Sequence, residues 1–501
     1  MSLASETRVP LRHPEKFFIG GDWVEPSSTS TIDVLDSNSE ELFLSVAEAQ
    51  APDMDRAITA ARQAFDKGPW PKMSHAERAG YLNAIADELD GRMSDYNSIW
   101  PRESGVVATV AQFMGQGGGA TFRYYAGLAD SYPFEEVHKP TPSPLPGGDF
   151  GLLVREPVGV VGAIIPWNGP LMLIIGKIAP ALLAGCTVIV KVSPEAPAAG
   201  YVIAEVAEAV GLPPGVVNVV TADREVSELL VTDPRVDKIS FTGSTVAGRK
   251  IGSIMGGRIG RCTLELGGKS AAVILDDADF GLAAQVLAGA ECMLSGQVCA
   301  SLTRIIVPRS KHDEFADALA AAFSAVSVGD TFDPNTQMGP LAMARQRDRV
   351  EDYIKKGVDE GAKLITGGGR PKHLDKGYFI EPTVFAGVDN NHVIAREEIF
   401  GPVLSVLPAD SEEQAIEIAN DTIYGLNASV FTSDLGRAHE VAKQLRSGTV
   451  GHNNMRLDFG ISFGGYKQSG IGREGGKEGL LPYLETKLML LDGPPPGYTA
   501  P

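Results

Sequence analysis

The chain has 501 residues, 44% of them apolar and 21% charged, and carries a formal charge of −19. Its length exceeds what a single core carries, so at least two domains are expected, and its acidity excludes nonspecific attraction to nucleic acid or an anionic membrane. Four cysteines, Cys186, Cys262, Cys292 and Cys299, form no CxxC pair and are too few for a disulfide framework, which points to a reducing, cytoplasmic setting.

Met1–Pro10 is polar and lacks the apolar core of a signal segment. Phe17–Val24 reads as a hairpin, two apolar runs about Gly20-Gly21. From Ala51 to Asp95, apolar residues recur at helical spacing. A Pro- and Gly-rich bridge, Lys139–Gly148, reads as a domain-crossing loop or the tip of a protruding hairpin. Four β-branched runs follow, Gly159–Ile165, Thr187–Val192, Gly215–Thr221 and Lys238–Ser244, separated by helical patterns over Leu171–Leu183, Ala198–Val210 and Glu225–Val231. Alternation of this kind predicts βαβ units and a buried parallel sheet, with ligands at the carboxyl ends of its strands. The apolar stretch Leu171–Val192 is broken by Lys177, Pro180 and Gly185, so it reads as helix, turn and strand rather than a membrane span. After Leu264 a second α/β series begins. Its strands are expected at Ala271–Leu275, Thr303–Val307, Pro402–Pro408 and Ala428–Thr432, and its helices at His312–Val326, Ala342–Gly361 and Glu412–Asn420. A last strand, Thr486–Leu491, has no sequential neighbour, which suggests pairing across a subunit boundary. Gly493–Pro501 is a low-complexity tail.

Five short stretches carry chemistry. At Lys238–Arg249 a strand runs through Thr242-Gly243-Ser244 into a helix start, where free N–H groups and the positive dipole end suit a pyrophosphate; an ordinary capped helix reads the same way. Lys191 ends a predicted parallel strand, in reach of ribose hydroxyls or a 2′-phosphate, or simply snorkelling. Glu265, in Leu264-Glu265-Leu266-Gly267-Gly268-Lys269, lies in apolar sequence that would raise its pKa towards that of a general base, unless it faces solvent. Cys299 follows Gly296-Gln297-Val298 and becomes a nucleophile where amides or cations stabilise its thiolate; otherwise it is a small buried apolar group. Asn168, in Pro166-Trp167-Asn168, is placed to donate to a developing oxyanion or to cap a helix.

Together with Phe241-Thr242-Gly243-Ser244, Glu398-Ile399-Phe400-Gly401-Pro402 and Phe463-Gly464-Gly465-Tyr466-Lys467, and in this order, these stretches resemble the aldehyde dehydrogenase superfamily from Phe18 to about Leu491. The resemblance implies an NAD(P)⁺-dependent enzyme that oxidises an aldehyde to a carboxylate without a metal. Cys299 would attack the carbonyl, Asn168 and the Cys299 amide would hold the oxyanion, and Glu265 would activate water against the resulting thioester. Lys191, Glu195, Gly243 and Ser244 would hold the adenosine ribose and pyrophosphate; Glu398 and Phe400 the nicotinamide ribose and ring; Ile164, Pro166, Trp167 and Leu266 would complete the NAD site. The implied fold is a Rossmann-like cofactor domain (1–131 and 156–266), a second α/β catalytic domain (267–467) and a small β oligomerisation arm (132–155 and 477–495) that builds a homodimer or homotetramer.

Two features depart from the family pattern. NAD-preferring members often carry Glu three positions after the lysine; here Pro194 stands there and Glu195 follows, so NAD is favoured only modestly over NADP. The loop Gly451–Arg456 lacks a frequent aromatic residue. Gly169, Leu173 and Gly176 share a helix face beside Asn168, and with Met293, Leu294, Leu457 and Phe459 they predict a wide apolar channel for medium-chain, terpenoid or aromatic aldehydes. Arg456 would anchor a carboxylate or pair with Asp458. Two other readings are a CoA-acylating semialdehyde dehydrogenase, whose members commonly lack the glutamate base, and a non-enzymatic protein on the same fold, in which some of Cys299, Glu265 and Asn168 should be missing.

Overall fold

The computed structural model of the chain describes residues 9–115, 117–141 and 148–498. The four β-branched runs become strands Val160–Ile164, Thr187–Val192, Val217–Thr221 and Lys238–Thr242, every residue of them buried. Together with Arg261–Glu265 they pair in parallel, in the spatial order 261–265, 238–242, 160–164, 187–192, 217–221. The hairpin Phe17–Ile19/Asp22–Val24 closes one edge of this eight-stranded sheet, and the short strand Gly470–Ile471 closes the other. The chain enters at the centre, builds outward to 217–221 and returns past its starting strand to 238–242. The reversal of strand order between 160–164 and 238–242 leaves a crevice at the carboxyl ends of both strands.

Because side chains alternate along a strand, each face of the sheet gathers its own core. Val161, Ala163, Val188, Val190, Val217 and Val219 pack to one side; Val160, Ile164, Ile189, Val220, Ile239 and Phe241 pack to the other. The helix Pro170–Ala184 lies on the first face. It is apolar on most sides, starts with Pro at its first position and stops at Gly185. A capping box at Ser74 opens the long helix His75–Ser104 on the same face: the Ser74 hydroxyl accepts from the Glu77 amide at 3.2 Å while the Glu77 carboxylate accepts from the Ser74 amide at 2.7 Å.

The second sheet has seven strands, ordered 363–366, 383–386, 403–409, 304–308, 271–274, 427–431, 449–452, all parallel except the first. It too has a core on each face, around Val273, Ile306 and Val430 on one and Ala272, Ile305 and Val406 on the other. The expected helices fall at His312–Ser324, Ala344–Asp359 and Glu412–Asn420.

The last strand, Leu484–Leu491, has a partner that its sequential neighbours do not show. It pairs within its own chain, antiparallel to Phe150–Pro157 from Leu484↔Pro157 to Leu491↔Phe150. Phe150–Pro157 is the second arm of a hairpin with Glu135–His138. Sequential neighbours were the wrong place to look, because 327 residues separate the paired positions Leu484 and Pro157. The Pro- and Gly-rich bridge joins the two arms of this hairpin; its residues 142–147 lie outside the described residues, as do 1–8 and the tail's last residues 499–501. Among the described residues no helix is long and apolar enough to cross a membrane.

Candidate active site

The connector Leu266–Ser270 leads from the last parallel strand of the first sheet into the first strand of the second. It therefore runs between the carboxyl ends of one sheet and the amino ends of the other, and the sequence-predicted residues converge along it. Pro166–Asn168, Lys191 and Gly243–Ser244 end first-sheet strands; Cys299 and Glu398 lie five residues before second-sheet strands that start at Arg304 and Val403.

Glu265 ends its strand, paired with Thr242 on one side and Gly470 on the other. It is 3% exposed, and neither carboxylate oxygen has a hydrogen-bond partner. Burial raises its pKa well above the usual carboxylate range, and the charge of Glu474 raises it further, against the opposing pull of Lys177 and Arg473. Lys177 is ion-paired with Glu474 and donates to the Thr242 hydroxyl at 2.7 Å. Glu265 thus has what a general base needs, a desolvated carboxyl with open lone pairs. A Cβ at Gly464 would lie 2.6 Å from its Oε1, and the backbone there has φ +149°, so a side chain at this position would crowd the carboxyl.

Cys299 sits on a loop fixed from several sides. The Gln297 side chain donates to the carbonyls of Ser104 and Leu294, both at 3.1 Å, and accepts from the Ala342 amide at 2.9 Å. Ser295 and Gly296 turn through positive φ (55° and 71°), and a Cβ at Gly296 would lie 2.2 Å from the Gly401 carbonyl carbon. Burial pushes the Cys299 thiol up to about 12, with Glu398 and Glu265 adding to the shift; the amides of Cys299 and Ala300 pull the other way. This differs from the sequence expectation of a stabilised thiolate. The amides are present, but the charges that face the sulfur are carboxyl groups.

The Asn168 amide nitrogen donates to the Gln297 carbonyl at 2.9 Å, which joins the end of the first strand to the cysteine loop. Its backbone carbonyl accepts from the Trp100 indole at 3.1 Å. An Nδ2 amide has two N–H groups, so one remains for an oxyanion.

Glu398, Ile399 and Phe400 lie opposite. The Gly268 amide donates to Glu398 at 3.2 Å, and Arg349 donates to the Glu398 carbonyl at 2.5 Å. Burial pushes the Glu398 carboxyl up to about 7. Phe400 takes φ +63° and is held there by Gln346, which donates to its carbonyl at 2.7 Å. Its ring meets Trp167 edge to face at 5.3 Å. Lys191 is buried at its strand end, and burial brings its ammonium down to about 8. Ser244 caps the helix Thr245–Gly257, its hydroxyl accepting from the Ala247 amide at 3.3 Å. Ile164 and Leu266 are buried in the same core as Phe241. A buried ammonium at one strand end, a capped thirteen-residue helix at the next and a buried carboxyl across the crevice fit a dinucleotide.

Around the thiol the lining is apolar. Ala300, Leu426 and Phe463 form a small cluster against which Val298, Cys299, Leu457 and Phe459 pack. Met172, Leu173 and Gly176 are half-exposed on the helix beside Asn168, and a Cβ at Gly176 would meet nothing within 4 Å. Leu294 belongs to the large core instead. Arg456 is exposed and forms no ion pair with Asp458 among the described residues; Asp458 accepts from the Gly460 amide at 2.8 Å.

The model of the family described as "Aldehyde dehydrogenase family" matches residues 23–489. The chain belongs to the aldehyde dehydrogenase family. It is an enzyme that oxidises aldehydes to carboxylic acids with a nicotinamide cofactor. Among curated relatives, geranial dehydrogenase of Castellaniella defragrans is 45% identical over 480 residues, 96% of this chain and 99% of its own. Among solved structures, an aldehyde dehydrogenase of Mycobacterium tuberculosis complexed with NAD⁺ is 45% identical, with a TM-score of 0.92 over 97% of this chain and 99% of that one. Aldehyde dehydrogenase C of Pseudomonas syringae, as a cysteine-to-alanine mutant with NAD⁺ and octanal, is 38% identical with the same score and coverage.

Lys177 and Glu474, whose charges act on Glu265, and Gln346, which holds the Phe400 carbonyl, were not singled out by the sequence as site residues. Lys177 left a signal, a charge within an apolar helix; Glu474 left none, being 297 residues from its partner.

Proposed function

We propose that this aldehyde dehydrogenase acts on medium-chain, terpenoid or aromatic aldehydes, with Cys299 as nucleophile, Asn168 as oxyanion donor and Glu265 as hydrolytic base. The observation that carries the reading is the pairing of a buried, unpartnered Glu265 with a cysteine set in an apolar cluster. The Cys299 sulfur attacks the aldehyde carbon, and its proton leaves to a base. The Asn168 amide and the Cys299 N–H share the oxyanion charge. The nicotinamide, when bound, supplies the hydride acceptor. A thioester on Cys299 remains, and Glu265 takes a proton from the water that cleaves it. That base supports hydrolysis over transfer to CoA.

Lys191, Glu195, Gly243 and Ser244 would hold the adenosine side of the cofactor, Glu398 and Phe400 the nicotinamide side, and Ile164, Pro166, Trp167 and Leu266 would complete the wall. NAD⁺ is the preferred cofactor; the solved relatives that contain it support the choice. Segments 1–131 and 156–266 act as the cofactor domain, 267–467 as the catalytic domain, and 132–155 with 477–495 as the arm of a homodimer or homotetramer. Four free cysteines support a cytoplasmic setting.

An apolar channel gains roughly 0.8 kcal/mol per buried methylene, which favours octanal over acetaldehyde. The geranial dehydrogenase relative and the octanal complex support the same substrate class. The test is kcat/KM for acetaldehyde, octanal, benzaldehyde and succinic semialdehyde, with Cys299→Ala as control. Octanal or benzaldehyde should rank first; acetaldehyde or the semialdehyde in that place overturns the substrate class.

A further inference from the structure

The turn after Lys191 places Pro194 and Glu195 beside the lysine, whose ammonium responds to the charges of Glu195, Asp223 and Arg224. A carboxylate at such a strand end normally serves a dinucleotide in one of two ways. Left open, it accepts from the ribose hydroxyls and repels a 2′-phosphate; replaced or offset by a guanidinium, it admits the phosphate. Here the carboxylate is not open. One oxygen of Glu195 accepts from the Ser193 hydroxyl, and the other is ion-paired at 2.5 Å with Arg345, the second residue of the helix Ala344–Asp359. Arg345 comes from a helix whose Val350, Tyr353 and Ile354 pack in the second sheet's core.

The two partners differ in exposure. The Glu195 side chain is 19% exposed and that of Arg345 is 58% exposed. A guanidinium has five N–H donors in a planar fork, so the contact of Arg345 with Glu195 leaves donors over on an exposed side chain. Glu195, Asp223 and Arg224 act on Lys191, and Arg345 sets one further cation directly against Glu195.

We propose that Arg345 sets the cofactor selectivity of this enzyme: it neutralises Glu195 and offers its guanidinium to a ribose 2′-phosphate, so that the chain takes NADP⁺ as well as NAD⁺. The proposal rests on the reading of Lys191 and its strand end as the adenosine-ribose site. A phosphate–guanidinium contact is a charge-assisted, often bidentate bond. Its loss should show in binding as well as in turnover.

The test is calorimetric binding of two probes, AMP and adenosine 2′,5′-bisphosphate, to the full-length enzyme. Arg345→Gln should weaken the bisphosphate by about 10- to 100-fold, the worth of a hydrogen bond to a charged group, and change AMP by less than about threefold. Arg345→Lys should keep part of the preference, and Glu195→Gln should tighten the bisphosphate. In turnover, Arg345→Gln should raise the NAD⁺-to-NADP⁺ ratio of kcat/KM in the same direction. An unchanged bisphosphate-to-AMP ratio in Arg345→Gln overturns the role of Arg345. Lys191→Met separates this from the underlying reading: it should weaken both probes, and no effect on either overturns the ribose site itself.

Discussion

The thiol of Cys299 faces two carboxyl groups, Glu265 and Glu398, whose charges oppose a thiolate. Glu265 in turn faces Glu474, which opposes its own ionisation. Burial is the larger cause in both, so desolvation pushes the thiol and the Glu265 carboxyl towards their neutral forms. The same arrangement fixes a pH dependence. A base works when deprotonated, so the rate of thioester hydrolysis rises as pH passes upward through the pKa of Glu265. Glu474→Gln removes the repelling charge and leaves Lys177 to favour the Glu265 carboxylate. The pKa of Glu265 then falls, and the acidic limb of kcat should move to lower pH, measured where hydrolysis limits turnover. A limb that stays in place or moves to higher pH contradicts the coupling. At this scale the sequence was informative about Cys299, Glu265 and Asn168, because each sits in a short motif. It was silent about Glu474, whose role comes from a contact with Lys177 that no local pattern encodes.

The site lies between sheet ends of opposite sense. The carboxyl ends of the first sheet, where ligands are expected, carry Asn168, Lys191 and Ser244. The second sheet contributes through its amino ends, where Cys299 and Glu398 lie on the approaches to Arg304 and Val403. Most fully buried parallel strands were legible because both faces demand β-branched residues, but the four-residue strand Thr383–Ala386 was too short to stand out. Arg261–Glu265 and Thr449–His452 were not legible either, since each carries charged or polar side chains near a sheet edge. Thr31–Leu35 and Leu42–Ala47 make a separate two-stranded sheet with exposed residues in alternation and no long apolar run. The turn before Cys299 tests the element directly. Gly296→Ala forces a Cβ onto the Gly401 backbone and a side chain into positive φ. The loop must shift, and a nucleophile displaced by about 1 Å loses on the order of 100-fold in kcat. The far-ultraviolet circular dichroism should be unchanged. Wild-type turnover in Gly296→Ala would show that the turn does not position the thiol.

For the whole molecule, the sheet formed by 135–138, 150–157 and 484–491 has an open edge. Leu484–Leu491 is the edge of a three-stranded sheet, and its Leu488 and Leu490 are 56% and 51% exposed. An open apolar edge on a lone chain invites pairing, and a net charge of −19 resists unselective association elsewhere. If the arm builds the oligomer, Leu488→Lys together with Leu490→Lys should lower the sedimentation mass towards one chain. An unchanged mass would place the subunit contact elsewhere. The arm was half legible: its strands and their union were expected, while the register that joins 484–491 to 150–157 is set by a contact between distant segments that no local pattern encodes.

The central claim, that Cys299 forms a thioester and Glu265 releases it, is tested most directly by one turnover of Glu265→Gln. Stopped-flow absorbance with octanal and NAD⁺ should show a burst close to one NADH per active site, followed by steady turnover slower than wild type by about 10²- to 10⁴-fold, the usual worth of a general base. Intact-mass measurement at the end of the burst should find the octanoyl group on Cys299. Wild-type steady turnover in Glu265→Gln, or a burst that leaves Cys299 unacylated, would contradict the account.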